Sequence, residues 1–215
     1  MEKLITSAVM ALAALVAALP ALAQSPPAPA SASYRESDFT LYAGYRFGGE
    51  LTDVATGNTW QLTEGPAYSL AADFPLSPNT QWELFLSRRN SALKASGLFS
   101  PVVNNIGVDI TYLHVGGTYF ADQVGRGFYG VGGLGATQLS PQQSGLNSET
   151  HFSFNFGVGY MIPATKHVGV KLEARGFVTL LESSSAMFCS GGCVVQVQGT
   201  TLTQGEVMAG ITARF

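Results

Sequence analysis

The last ten residues of the chain, 206–215, alternate without a slip between apolar and mostly polar side chains. Val207, Ala209, Ile211, Ala213 and Phe215 share one parity, while Glu206, Met208, Gly210, Thr212 and Arg214 share the other. Successive side chains of a strand point to opposite faces, so the segment predicts a strand with one apolar side and one mostly polar side. The same period of two recurs through the chain. No apolar run after Pro20 approaches the roughly 20 residues that a spanning helix requires.

Seven further segments carry the pattern. Residues 39–48 set Phe39, Leu41, Ala43, Tyr45 and Phe47 against Thr40, Gly44 and Arg46. In 68–74, Tyr68, Leu70, Ala72 and Phe74 oppose Ser69, Ala71 and Asp73. In 81–89, Trp82, Leu84 and Leu86 oppose Glu83, Phe85, Ser87 and Arg89. Within 106–120, Leu113, Val115 and Tyr119 form the apolar face and His114 and Thr118 the other, since the opposite phase would put His114 in hydrocarbon. The fifth segment, 128–139, contains Gly130, Gly132, Gly133 and Gly135 and leaves its phase open. Residues 152–162 alternate Phe152, Phe154, Phe156, Val158, Tyr160 and Ile162 with Ser153, Asn155, Gly157, Gly159 and Met161. In 168–180, Val168, Val170, Leu172, Ala174, Val178 and Leu180 oppose Lys171, Glu173, Arg175, Phe177 and Thr179.

The connections alternate in length. Residues 75–80, 121–126 and 163–167 are short; 51–66, 90–105, 140–148 and 181–202 are long. An even strand count puts both termini on the short-turn side, the layout of a membrane barrel with short periplasmic turns and long outer loops. Composition agrees. Only 12% of the residues are charged and the mean hydropathy is +0.20, whereas a soluble domain carries about twice that charge. The 25 glycines disfavour a helical bundle, because each interior glycine costs a helix about 1 kcal/mol. A net charge of -3 with scattered basic residues leaves no footprint for nucleic acid.

The N-terminus reads as an export signal. Glu2 and Lys3 precede an apolar run over 4–19, Pro20 breaks it, and Ala21-Leu22-Ala23 has the small-x-small form of a cleavage site. Residues 1–23 are expected to be a signal peptide and 24–37 a periplasmic Pro/Ala/Ser-rich linker, leaving 38–215 as one domain. A soluble eight-stranded barrel such as a lipocalin shares the strand count but would turn its polar face outward. Phe39, Phe74, Trp82, Phe120, Tyr160 and Phe215 fall near the short-turn strand ends, as an interfacial aromatic girdle would, and favour the membrane barrel.

With its signal peptide, its opening strand Phe39-Thr-Leu-Tyr-Ala-Gly-Tyr-Arg46, its Tyr112-Leu-His-Val-Gly-Gly-Thr-Tyr119 segment and its closing strand, the chain resembles the small outer-membrane β-barrels of the OmpA/OmpX-like superfamily from about residue 38 to Phe215. The resemblance implies an all-β, eight-stranded antiparallel up-and-down transmembrane barrel in the outer membrane of a Gram-negative bacterium. It implies that Val207, Ala209, Ile211, Ala213 and Phe215 serve as the barrel-insertion signal read by the barrel-assembly machinery. It also implies a monomer surrounded by outer-membrane lipids and lipopolysaccharide, with no cofactor. Relatives include membrane tethers, adhesion and serum-resistance proteins, solute channels and a few lipid A-modifying enzymes, and the fold alone does not choose among them.

Nine charged residues take the inward parity: Arg46, Asp73, Glu83, Arg89, Lys171, Glu173, Arg175, Glu206 and Arg214. An eight-stranded barrel is just wide enough for side chains to fill it. The expectation is a neutralising network that plugs the lumen; the alternative is a narrow ion or solute path lined by Arg46, Glu83, Arg175 and Glu206. Inward Gly44, Gly157, Gly159 and Gly210 either leave room for such a path or make space for Phe85, Phe177 and Met208. In the longest loop, Cys189-Ser-Gly-Gly-Cys193 suggests a disulfide in an exported chain, shaping the loop rather than stabilising the whole. That loop, with Val194, Val195 and Val197 beside it, is the expected contact for an extracellular partner.

No metal-ligand cluster, phosphate loop or catalytic set stands out. Gly130 to Ala136 lacks the strand-to-helix context of a nucleotide fingerprint. Outer-membrane lipid A deacylases resemble this chain in size and use a His-x-Ser pair, matched here by His151-Phe152-Ser153. However, their following Asn is replaced by Phe154, and the alternation points His151 and Ser153 at the lumen. A nucleophile also needs its base oriented by a third group. His114 reads as a lumen residue and His167 as part of a turn. The reading is therefore a non-enzymatic envelope or surface protein, with a lipid A-modifying enzyme as the remote alternative.

Overall fold

The computed structural model describes residues 36–52, 59–96, 106–142, 147–181, 186–189, 193–196 and 201–215. Twelve strands lie among them: β1 (Asp38–Gly48), β2 (Glu50–Thr52), β3 (Thr59–Leu62), β4 (Gly65–Ser77), β5 (Thr80–Ser96), β6 (Ile106–Phe120), β7 (Gly127–Pro141), β8 (Glu149–Pro163), β9 (Val168–Leu180), β10 (Ala186–Cys189), β11 (Cys193–Gln196) and β12 (Thr201–Arg214). The eight long strands pair antiparallel in chain order, and β12 returns to β1 to close an eight-stranded barrel. Closure removes the sheet edges that would otherwise expose unpaired backbone.

The register fixes the barrel's geometry. From Leu41, the partners Leu70, Leu86, Leu113 and Ala136 lead in turn to Phe152 on β8. In the other direction Ile211 and Val170 lead to Ile162 on the same strand. The two routes miss each other by 162 − 152 = 10 residues, which is the stagger of the closed sheet. With a rise of about 3.3 Å per residue and strands about 4.8 Å apart, that stagger tilts the strands by roughly 40°.

Alternation sorts the side chains as the pattern predicts. Leu41 and Ile211 are 67% exposed on the outer wall, whereas Arg46, Asp73 and Thr212 are fully buried inside. In β6, Leu113, Val115 and Tyr119 face out and His114 and Thr118 face in. The glycine-rich β7 acquires its phase from its neighbours. Leu134 lies opposite both Val115 and Phe154 on the outer face, so Tyr129, Val131, Thr137 and Leu139 turn inward.

Two expectations are corrected. Phe120 does not join the outer aromatic girdle; it is fully buried with Val124, Tyr129 and Met161 at the short-turn end. Its parity follows His114 and Thr118, and the turn after it folds beneath the barrel, where the Val124 amide donates to the Pro78 carbonyl at 3.0 Å. Gly125, at φ 93°, lets that turn pass against the Arg214 guanidinium. The strands also run further than the apolar runs. β5 reaches Ser96, β2 and β3 form a hairpin within the first long connection, and β3 pairs with the end of β5. Backbone pairing continues past the apolar belt because it needs no particular side chain.

An apolar group is buried towards the long-connection end. Leu62, Val108, Ile110, Leu139, Leu181 and Leu202 are all buried within one cluster.

Candidate functional site

The charged interior is built in tiers because inward positions recur every second residue on eight staggered strands. At the short-turn end, Arg214 donates to both carboxylate oxygens of Asp38 at 2.8 and 3.1 Å. Gln81 adds a third donor to Asp38 at 3.3 Å. Above it, the Lys171 ammonium donates to Asp73 at 2.6 Å.

The middle tier centres on Arg175. Its Nη1 and Nη2 donate to the two oxygens of Glu83 at 2.9 and 3.1 Å, and its Nε donates to Glu173. The Tyr129 and Tyr42 hydroxyls donate to the other Glu173 oxygen at 2.8 and 3.3 Å. The guanidinium carbon sits 3.8 Å from the centroid of the Phe85 ring, a cation–π contact. Bidentate guanidinium–carboxylate geometry suits a dry interior, where each charge needs both a counter-charge and hydrogen bonds.

The outer tier differs. Arg46 donates through Nε to Glu206 at 2.9 Å and through Nη2 to Glu206 and Ser87. Its guanidinium lies 4.8 Å from the centroids of both Tyr112 and Phe177. Arg89 lies nearby, only 2% exposed, and donates to the Arg46 carbonyl at 3.2 Å. No carboxylate is paired with Arg89 among the described residues, and Arg46 Nη1, Arg89 Nε and Glu206 Oε1 lack hydrogen-bond partners.

All nine charged residues read from the sequence are therefore buried in the lumen, and the structure adds Asp38. With it, the buried set becomes five cations and five carboxylates among the described residues. Asp38 continues the parity of Thr40, Gly44 and Arg46, so one more step of the alternation would have found it. Tyr42 and Tyr129 were also missed as network members. Their rings fill the space beside Gly210 and Gly159, and Met208 and the Glu206 carboxylate fill that beside Gly44. A Cβ at Gly210 would approach the Tyr42 ring to 2.6 Å, so this glycine makes room for that ring.

The histidines do not assemble a nucleophile site. Ser153 bonds His114 Nε2 at 2.8 Å, while His151 contacts Glu149 at 3.2 Å. His114 stacks on Tyr112 and Phe177, and its Nδ1 has no partner to orient it. His167 contacts the Arg214 carbonyl at 3.3 Å in the last short turn. No group of three or more metal-ligating side chains lies among the described residues. The backbone of β10 and β11 pairs Cys189 with Cys193, and the side chains of both lie outside the described residues, as do residues 1–23, expected to be a signal peptide.

A family model for the outer membrane protein beta-barrel domain matches residues 9–215. No curated protein matches by sequence. The solved outer membrane protein OprG from Pseudomonas aeruginosa is 13% identical, with 85% of this chain and 98% of that one covered at a TM-score of 0.50. Neisserial surface protein A is 15% identical over 82% of this chain and 97% of that one, with a TM-score of 0.49. The outer membrane protein AlkL, solved in DMPC bilayers, is 13% identical over 90% of this chain and 97% of that one, also at 0.49. At 13% identity the likeness to OprG shows the fold alone. The family match spans nearly the whole chain, and the strands close into a barrel with an apolar outer wall and a charged interior; the chain belongs to the outer membrane protein β-barrel domain family of the Gram-negative outer membrane.

Proposed function

We propose that the protein is a non-enzymatic structural or surface-interaction barrel whose lumen is plugged by its own side chains. One arrangement carries this reading: ion-paired tiers bridge the inner wall, with apolar clusters capping them at both ends. An ion entering would have to cross apolar constrictions and then displace guanidinium–carboxylate pairs, each step opposed by desolvation. Contact with partners then falls to the outer loops, including the hairpin around Cys189 and Cys193, for which a loop-shaping disulfide is part of the proposal. Export through a signal peptide cleaved after Ala23 completes it, and mass measurement of the mature chain tests both the cleavage and the disulfide.

A narrow channel is the second reading, favoured by one observation. Polar atoms of Asn155, His114, Arg89 and Arg46 on the inner wall lack partners, as they would beside a hydrated path. Single-channel recording of the folded protein in a planar bilayer separates the two. A silent bilayer is expected; discrete, reproducible openings would replace the plugged barrel with the channel.

A further inference from the structure

The outer tier of the lumen has more donors than acceptors. Arg46 and Arg89 are both buried there, at 0% and 2% exposure, and among the described residues Glu206 is the one carboxylate bonded to either. Glu206 Oε2 takes both Arg46 bonds, from Nε and Nη2, which leaves Arg46 Nη1 without a partner. Arg89 donates to the Arg46 carbonyl at 3.2 Å, and its Nε has no acceptor. The third unpartnered atom, Glu206 Oε1, stands beside Gly44. Glu64 is exposed and forms no ion pair with Arg89 among the described residues.

The wall between the two arginines supplies no acceptor side chain. β4 runs between β1 and β5, and its inward positions here are Gly65, which pairs with Arg46, and Ala67. A Cβ at Gly65 would meet a single atom within 4 Å, Arg89 Nη2 at 3.7 Å, so the glycine leaves open space against that guanidinium. The balancing carboxylate lies in the middle tier, where Arg175 engages both Glu83 and Glu173. The contrast is Arg88, next in the chain, whose side chain is 66% exposed on the outer face and bonded to Asp109 at 2.9 Å. A bond from Gln142, and then that from Arg88, hold the Asp109 carboxyl below its ordinary value, so Arg88 keeps its counter-charge.

We propose that the outer tier binds one halide ion, held by Arg46 Nη1 and Arg89 Nε beside Gly65. A buried charge without a partner is costly, and a buried N–H without an acceptor adds to the cost. One monovalent anion removes both, because Arg46, Arg89 and Glu206 together carry a single positive charge. A divalent oxyanion would reverse the imbalance, and a water molecule would leave it in place. The halide site stands whether the lumen is plugged or open, so a conducting channel does not bear on it.

The test refolds the full mature barrel into lipid vesicles in sodium chloride, sodium bromide or sodium gluconate, whose anion is far larger than a halide. A constant ionic strength removes any difference in screening. With chloride at about four times its Kd, the folding equilibrium read by urea titration is expected to be about fivefold more favourable than in gluconate. Arg89→Met should fold equally well in all three salts, while Arg88→Ala, on the opposite face of the same strand, should keep the ratio. Crystals of wild-type barrel refolded in bromide should show an anomalous peak between Arg46 and Arg89 that Arg89→Met lacks. Equal wild-type stability in chloride and gluconate, an unchanged ratio in Arg89→Met, or wild-type crystals without bromide there would overturn the halide site.

Discussion

The middle and outer tiers of the lumen use the same residue types in opposite proportions. Around Arg175, two carboxylates share one guanidinium, and every polar atom of the three charged side chains is used. Around Glu206 the proportions reverse: Arg46 alone pairs with that carboxylate, Arg89 nearby bonds only a carbonyl, and three polar atoms are left over. Charge is therefore balanced over the whole interior and not within each pair. The difference teaches that the middle tier is the anchor of the network, because Arg175 bonds both Glu83 and Glu173 while Lys171 is bonded to Asp73, whereas the outer tier has a spare cation.

The largest expected effect is that of Arg175→Met. It strands Glu83 and Glu173 in the interior and should lower stability by about 3–5 kcal/mol, read from reversible urea unfolding in lipid vesicles. Arg46→Met strands only Glu206 and leaves Arg89 beside it as a counter-charge. A loss of about 1–3 kcal/mol is expected in the same assay. If the two variants lost equally, the contrast between the tiers would collapse. Gly159→Ala presses on the Tyr129 ring that serves Glu173, and overpacking of this kind should cost about 1–3 kcal/mol.

Arg89→Met sharpens the contrast further, since it removes a buried cation without a paired carboxylate. Stability should stay within about 1 kcal/mol of wild type or rise, and a large loss would show that Glu206 and Glu64, which act on Arg89 without bonding it, serve as its counter-charges. The smallest effect belongs to Asp109 at the outer rim. Its pKa is lowered from 3.8, so its contribution is present above that value and is lost only as pH falls through the lower folded-state value. The difference in unfolding free energy between wild type and Asp109→Asn should be constant from neutral pH to about pH 4 and shrink below it.

Much of this was legible in the chain. A period of two on eight segments, with long and short connections alternating, specified the barrel, and parity alone assigned Arg46, Glu83, Arg175 and Glu206 to the same face. Parity failed where side chains were absent or unusually placed. The glycines of β7 have nothing to declare a face, so that strand took its phase from Val115 and Phe154 across the sheet. Phe120 looked like a girdle residue because it is aromatic and near a strand end, yet its even parity on β6 turns it under the barrel.

What no one-dimensional reading could supply is which inward residue meets which. Arg175 and Glu83 lie 92 positions apart, and Arg214 and Asp38 lie 176 apart. Their meeting depends on the ten-residue stagger, which tilts the strands and brings particular rungs of different strands to one height. The sequence by itself determined the strand count, the face of each ordinary side chain and the sign of each buried charge, because these follow from local alternation. Only the closed barrel decided the pairing, and the surplus carboxylate in the middle and surplus cation above it, because these depend on the heights at which distant strands align.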